Sequence, residues 1–253
     1  PRLDAELLLA EATGRERTAL IADPDAGVDP GAGRTFGAMV RRRVLREPVA
    51  YILGTRGFRR IELRCDPRAL VPRPETELLV EVALELEPRS VLDVGTGTGA
   101  VALAIADEIP GVEVVGVDTS RSALGLAAEN AAALGLGDRV SLEVGALPGD
   151  RRFDLVVANL PYVRDADWSG LQPEISRHEP REAVLGGDDG LDPIRGLVAA
   201  LAEGRVRTEA LALEVGEGQA EEVAELVRRA GFDAVEARRD LAGIERVVVG
   251  RRR

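Results

Sequence analysis

The chain of 253 residues contains no lysine, one cysteine, one histidine and two asparagines. The lone Cys65 excludes an internal disulfide, and with His178 as the single histidine there is no cysteine-histidine zinc cluster. No metal is implied, and a reducing, cytoplasmic setting is expected. No apolar run approaches the roughly 20 residues needed to cross a bilayer, and Pro1-Arg2-Leu3 opens no signal-peptide pattern. The absence of an initiator Met leads us to expect that the natural beginning is missing. The basic residues are all arginine, and asparagine occurs only at Asn130 and Asn159. This bias reflects a GC-rich genome, and it gives weight to an asparagine at the end of a strand.

What is present is enough apolar material, 45%, for one large soluble domain with a small appendage. With 33 basic and 44 acidic residues the net charge is −11, which repels a phosphate backbone over most of the surface. No stable nucleic-acid binding and no membrane association are therefore expected. Leu3, Leu7, Leu8 and Ala10 recur at helical spacing, as do Phe36, Met39, Val40 and Val44, and these predict a small N-terminal helical bundle. Asp23 to Gly33, rich in Pro, Gly and Asp, reads as the loop between them. Arg41-Arg42-Arg43 reads as a solvated helix face in preference to a partner contact. Tyr51 to Leu63 reads as a β-hairpin.

From Ser90 onward apolar strands alternate with helical stretches. Strands are predicted at Val91 to Val94, Val112 to Asp118, Val140 to Val144 and Phe153 to Ala158, with helices at Ala100 to Asp107 and Ser122 to Leu134. Helices at Leu191 to Ala202 and Gln219 to Ala230 and strands at Ala210 to Val215, Phe232 to Ala237 and Arg246 to Val249 follow, the last two as an antiparallel edge. The pattern is that of an α/β doubly wound parallel sheet.

Val91 to Ala100 is a strand, a glycine turn and a helix start, so its backbone can approach a ligand closely and aim free amides at it. Asp118 closes the next strand, where a carboxylate can accept hydrogen bonds from both hydroxyls of a ribose. The loop alone does not choose a cofactor, since Gly95, Gly97 and Ala100 also satisfy the alanine form of the dinucleotide fingerprint. Asp93 shifts the balance to S-adenosylmethionine, because a carboxylate suits a cationic amino-acid moiety better than a pyrophosphate.

The strand from Phe153 ends in Asn159-Leu160-Pro161-Tyr162, at the carboxyl edge where open α/β sheets bind ligands. The Asn159 side-chain oxygen and the next backbone carbonyl offer two acceptors for the two hydrogens of a planar NH2 group. This points to methyl transfer onto an amide or amine nitrogen.

With both segments in view, the chain resembles the HemK/PrmC family of protein glutamine N5-methyltransferases. The likeness rests on Asp4 to Leu8, Pro48 to Gly54, Leu70-Val71-Pro72-Arg73-Pro74-Glu75-Thr76-Glu77, the glycine loop and the Asn159 tetrapeptide. It continues through His178 to Arg181, Gly186 to Leu191, Leu213 to Gly216 with Gln219, and Asp240 to Arg246. The resemblance implies a Rossmann-like seven-stranded methyltransferase sheet with an N-terminal helical bundle and a β-hairpin connector. Residues 1–47 are then expected to form a substrate-recognition domain, 48–72 the connector, and 73–253 the methyltransferase domain. The implied substrate is the Gln of the Gly-Gly-Gln loop in class I peptide chain release factors, and the implied cofactor is S-adenosylmethionine. Asp93, Gly95, Thr96, Gly97, Thr98, Gly99, Asp118, Ala146 and Asn159 are expected to contact the cofactor. Asn159, Leu160, Pro161 and Tyr162 are expected to hold the substrate Gln, bordered by Pro72 to Glu77.

The chain departs from the family pattern in two places. Leu160 replaces the first of two prolines, which preserves the backbone acceptor on a less rigid turn. Gly145-Ala146 stands where an acidic residue and an aromatic commonly border the adenine. Asn-Leu-Pro-Tyr also occurs in adenine N6-methyltransferases, so nucleic-acid adenine methylation is the alternative, and a nucleotide-sensing scaffold without turnover is a non-enzymatic one. His178 and Cys65 are given no catalytic role.

Overall fold

The computed structural model describes Arg2 to Arg252. Four helices open the chain: α1 (Arg2–Thr13), α2 (Arg17–Ala22), α3 (Pro30–Val44) and α4 (Val49–Leu53). The loop expected from Asp23 to Gly33 ends earlier, because Asp29 caps α3 and Pro30 stands in its first turn. The Asp29 carboxylate accepts from the amides of Gly31 at 2.7 Å and Ala32 at 3.1 Å. The hairpin is also shorter than expected. Tyr51 to Leu53 belongs to α4, which Gly54 ends in the left-handed region at φ 79°. The hairpin strands are β1 (Thr55–Phe58) and β2 (Ile61–Arg64).

The remainder runs α5 (Glu77–Leu86), β3 (Ser90–Val94), α6 (Ala100–Glu108), β4 (Glu113–Asp118), α7 (Arg121–Leu134), β5 (Val140–Val144) and β6 (Arg151–Ala158). It continues with α8 (Pro173–His178), α9 (Asp192–Ala202), β7 (Val206–Glu214), α10 (Ala220–Arg229), β8 (Ala234–Arg239) and β9 (Glu245–Arg251). Seven of these strands form one sheet in the order β5-β4-β3-β6-β7-β9-β8. β5, β4, β3, β6 and β7 are mutually parallel, while β9 is antiparallel to both β7 and β8, so the expected antiparallel edge is present.

Side-chain alternation divides the core between the two faces of the sheet. Val91, Val114, Leu155 and Ala212 face α5, α6 and the hairpin. Leu92, Val115, Val156 and Leu211 face α9 and α10. All of these side chains are buried, so the parallel strands read as continuous apolar runs. No helix among the described residues is long and apolar enough to cross a membrane.

Strand register decides what meets at the carboxyl edge. Val94 pairs with Ala158, Asp118 with Val144, and Ala158 with Leu213. One step beyond those pairs, Gly95, Gly145, Asn159 and Glu214 emerge side by side at the switch point of the sheet, where the strand order reverses between β3 and β6.

A candidate active site at the carboxyl edge

The glycine turn after β3 is pinned at its base. Gly95 and Thr96 donate their amides to the Val117 carbonyl at 2.9 and 3.0 Å, and Gly97 donates to Asp118 Oδ2 at 3.0 Å. Gly95, Gly97 and Gly99 have φ of 74°, 56° and 83°, a region that favours glycine. At Gly95 the space is closed as well, since a Cβ there would lie 3.1 Å from Leu160 Cδ2. The glycine loop therefore abuts the turn that follows β6.

Asp93 is 2% exposed beneath this loop. Its Oδ2 accepts from the Thr96 hydroxyl at 2.6 Å and the Ala102 amide at 3.2 Å, which leaves Oδ1 free of either bond. Burial pushes its carboxyl up to about 6, and the charge of Asp118 adds to the rise, against the two hydrogen bonds that favour the anion. Asp118 accepts from Gly97 on one oxygen and from Ser120 at 2.8 Å on the other. Each carboxylate oxygen retains a further lone pair.

A single cavity of about 600 Å³ connects these groups. Asp93, Gly95, Thr96, Gly97, Thr98, Asp118 and Ala146 line it, together with Asn159, Leu160 and Pro161. Two of the expected residues lie elsewhere. Gly99 takes the N-cap position of α6 in the left-handed region. Tyr162 stands outside the cavity lining, with its hydroxyl turned to Glu214 Oε1 at 3.4 Å and its acidity lowered to a pKa of about 12, chiefly by burial.

The turn that carries Asn159 is held from three sides. Gln219 Nε2 donates to the Tyr162 carbonyl at 3.0 Å, while its Oε1 accepts from the Gly216 amide at 2.8 Å. Gly186 donates to the Val163 carbonyl at 2.8 Å, and a Cβ on Gly186 would sit 2.6 Å from the Pro161 carbonyl, so this approach admits only glycine. Arg73 donates to both oxygens of Glu179 at 2.6 and 2.8 Å, tying the Pro72 to Glu77 segment to the stretch after α8. The Glu179 side chain is 1% exposed. Burial raises its pKa despite the guanidinium beside it.

Asn159 and Leu160 keep open acceptors. Asn159 Nδ2 donates to Thr76 Oγ1 at 3.0 Å, and among the described residues nothing donates to its Oδ1 or to the Leu160 carbonyl. The arrangement offers amides and two carboxylates for a ligand with a cationic group and a ribose, beside two acceptors for an NH2 group. An S-adenosylmethionine-like molecule fits that donor and acceptor set.

The sequence alone singled out no role for several groups that shape the site. Asn130, 1% exposed, donates to the carbonyls of Arg64 and Thr98 and accepts from the Arg64 amide, joining the hairpin to the glycine loop. Thr76, Glu214 and Gln219 had no individual assignment. The reading of Arg41 to Arg43 as a solvated face holds for Arg41 and Arg42, which are exposed, and is corrected for Arg43. Arg42 binds Glu47 and the Tyr51 and Ile52 carbonyls, and Arg43 pairs with Asp4 and with Glu174 on α8. Ion pairing of that kind needs the partners that folding brings. Arg46 joins Glu174 at 2.7 Å, and His178 Nε2 lies 3.2 Å from the Leu45 carbonyl, so the N-terminal helices dock on α8, which leads into Pro180 of the cavity lining. Cys65 is buried and its thiol pushed up to about 12, an inert state.

Residues 1–54 match the PrmC N-terminal domain family, and residues 91–179 match a methyltransferase domain family. The release factor glutamine methyltransferase of Geobacter sulfurreducens is 43% identical over 255 residues, covering 99% of this chain and 89% of that protein. Its namesake in Rhodospirillum rubrum is 41% identical over 260 residues, covering 100% and 79%. That of Deinococcus radiodurans is 43% identical over 257 residues, covering 100% and 91%. Among solved structures, the hMettl16 catalytic domain in complex with MAT2A 3'UTR hairpin 6 has a TM-score of 0.61 at 13% identity, covering 88% of this chain and 82% of that one. The ribosomal protein L11 methylase of Lactobacillus delbrueckii subsp. bulgaricus has a TM-score of 0.51 at 19% identity, covering 72% and 81%. At such identities the two structures show the shared fold alone.

Proposed function

The chain belongs to the release factor glutamine methyltransferases, and from that premise we propose that it methylates the side-chain amide nitrogen of the Gln in the Gly-Gly-Gln motif of class I peptide chain release factors. The observation that carries this reading is the pair of open acceptors, Asn159 Oδ1 and the Leu160 carbonyl, in one cavity with the glycine loop. S-adenosylmethionine, when bound, supplies an electrophilic sulfonium methyl.

The chain's own contribution is to bind, orient and exclude water. Gly95 to Thr98 cradle the cofactor from its backbone side, Asp118 accepts from ribose hydroxyls, and Asp93 Oδ1 faces the cationic amino-acid end. Ala146 borders the adenine with little contact area of its own. Asn159 and Leu160 each accept one N–H of the substrate, and Pro161 shapes the turn that presents them. A Gln amide is a poor nucleophile, since its lone pair is delocalised into the carbonyl. Holding the nitrogen in line with the methyl donor is therefore the largest service the site performs, an effect that can reach several kcal/mol. The proton on nitrogen becomes acidic as the new bond forms, so the reaction demands no strong base beforehand.

The N-terminal helices, roughly residues 1–47, serve to recognise the protein substrate. They lie outside the sheet motifs and are docked beside the site through Glu174. Modification of a translation factor also fits a cytoplasmic setting. The test is mass spectrometry of a Gly-Gly-Gln release factor after incubation with the chain and S-adenosylmethionine. One added methyl on that Gln is expected, and its absence, or transfer to adenine in an RNA or DNA substrate instead, would overturn the reading.

A further inference from the structure

Behind the turn that carries Asn159 lies a chain of polar groups with no role in the reaction so far. Asn159 Nδ2 donates to Thr76 Oγ1 at 3.0 Å, and Thr76 is 4% exposed. The Thr76 hydroxyl favours the charged form of the Glu214 carboxylate, although no hydrogen bond of good geometry joins the two. Glu214 ends β7, is 2% exposed, and receives the Tyr162 hydroxyl on Oε1 at 3.4 Å. Its Oε2 is buried and makes no hydrogen bond of good geometry.

Resting on the reading that Asn159 grips the substrate amide, we propose that Thr76 and Glu214 are positioning residues that decide which end of the Asn159 amide faces the cavity. The argument is one of proton count. A side-chain amide can present either its oxygen or its NH2, and its neighbours set the choice. The Thr76 hydroxyl has one proton to give, and an ionised carboxylate can only accept. With Glu214 charged, the Thr76 proton is drawn toward it and a lone pair is left for Asn159. Asn159 must then direct its NH2 at Thr76 and its Oδ1 at the substrate. A protonated Glu214 can itself donate to Thr76, whose proton then turns to Asn159 Oδ1. That leaves the Asn159 NH2 facing the substrate NH2, two donors with no acceptor between them.

The charge on Glu214 answers to all the groups around it. Burial pushes its pKa up to about 7 and the Glu75 carboxylate adds to the rise, while Thr76, Arg246 and the Tyr162 hydroxyl favour the anion. The turnover number should therefore carry an acid limb near pH 7, with activity rising as Glu214 ionises.

The test measures kcat against pH on a Gly-Gly-Gln release factor, together with S-adenosylmethionine affinity by calorimetry, for the unaltered chain, T76V, T76S and E214Q. T76V should lose about tenfold in kcat, equivalent to one hydrogen bond of about 1.4 kcal/mol, with cofactor affinity unchanged. T76S, which restores the hydroxyl, should recover most of that loss. In E214Q the limb near pH 7 should vanish, because an amide does not titrate. Unaltered kcat in T76V, cofactor affinity falling in step with kcat, or an acid limb that survives in E214Q would each overturn the proposal. If T76V does not fold, the pH profiles of the unaltered chain and E214Q decide alone. A failure of the unaltered chain to methylate the factor would instead overturn the reading on which the proposal stands, and the proposal with it.

Discussion

Replacing Asp93 with Asn should stabilise the ligand-free protein at neutral pH while weakening its hold on S-adenosylmethionine. The Asp93 carboxyl is raised from its ordinary 3.8 to about 6, chiefly by burial. Each tenfold change in proton affinity corresponds to about 1.4 kcal/mol, so keeping the charge in the folded chain costs on the order of 3 kcal/mol. The sign follows from proton uptake. The folded state binds this proton more tightly than the unfolded one, so the cost is complete above about pH 6, shrinks as pH falls toward 3.8, and is absent below. An Asn in the same rotamer keeps an oxygen for Thr96 and Ala102 and turns its NH2 into the cavity, where water can reach it. Urea denaturation at several pH values should find Asp93→Asn more stable than the parent at pH 8, by up to about 3 kcal/mol, with the gap closing by about pH 4. Calorimetry should find cofactor affinity reduced about tenfold, as expected when a charged acceptor becomes neutral. A variant less stable than the parent at pH 8 would refute the energetic argument, and unchanged affinity would leave Asp93 as a loop tether alone.

Asn159→Ala removes one of two acceptors for the substrate NH2 and should lower kcat about a hundredfold, with S-adenosylmethionine affinity little changed. Equal losses in kinetics and calorimetry would mark it as a cofactor ligand first. Arg73→Met strands the buried Glu179 carboxylate and should cost about 3 kcal/mol in denaturant unfolding, with Glu179→Gln in the same chain recovering part of it. A cycle without coupling would show that the pair does not hold this segment. Arg41→Glu, at an exposed member of the arginine run, should raise KM for the release factor without altering cofactor affinity; an unchanged KM would remove Arg41 from substrate recognition.

The strands that carry the site were legible because they are buried on both faces. Val91 to Val94 and Phe153 to Ala158 read as apolar runs, each bounded by a turn residue, and both are strands. Glycine and asparagine at their ends stand out for a similar local reason, since a positive φ or an open side-chain acceptor is a property of one residue. The N-terminal region was less legible. A single capping side chain at Asp29 moved the start of a helix into a stretch whose composition reads as loop, and Gly54 closed a helical turn where β-type residues suggested a strand.

The amino-acid sequence by itself determined the sheet class, the glycine turn, Asp118 at a strand end and the Asn159 turn, because each of these follows from local periodicity and residue chemistry. Only the tertiary structure decided that Gly95 presses on Leu160, that Asn130 joins the hairpin to the glycine loop, and that Arg43 is held by Asp4 and Glu174. It likewise decided that Thr76 and Glu214 stand behind Asn159. Thr76 and Glu214 come from segments far from Asn159 in the chain: Glu214 arrives because β7 pairs with β6 in a register that aligns Ala158 with Leu213, and Thr76 arrives on the turn before α5, where it accepts from Asn159 Nδ2. Strand order and register arise from packing the whole core, which no local pattern of residues encodes.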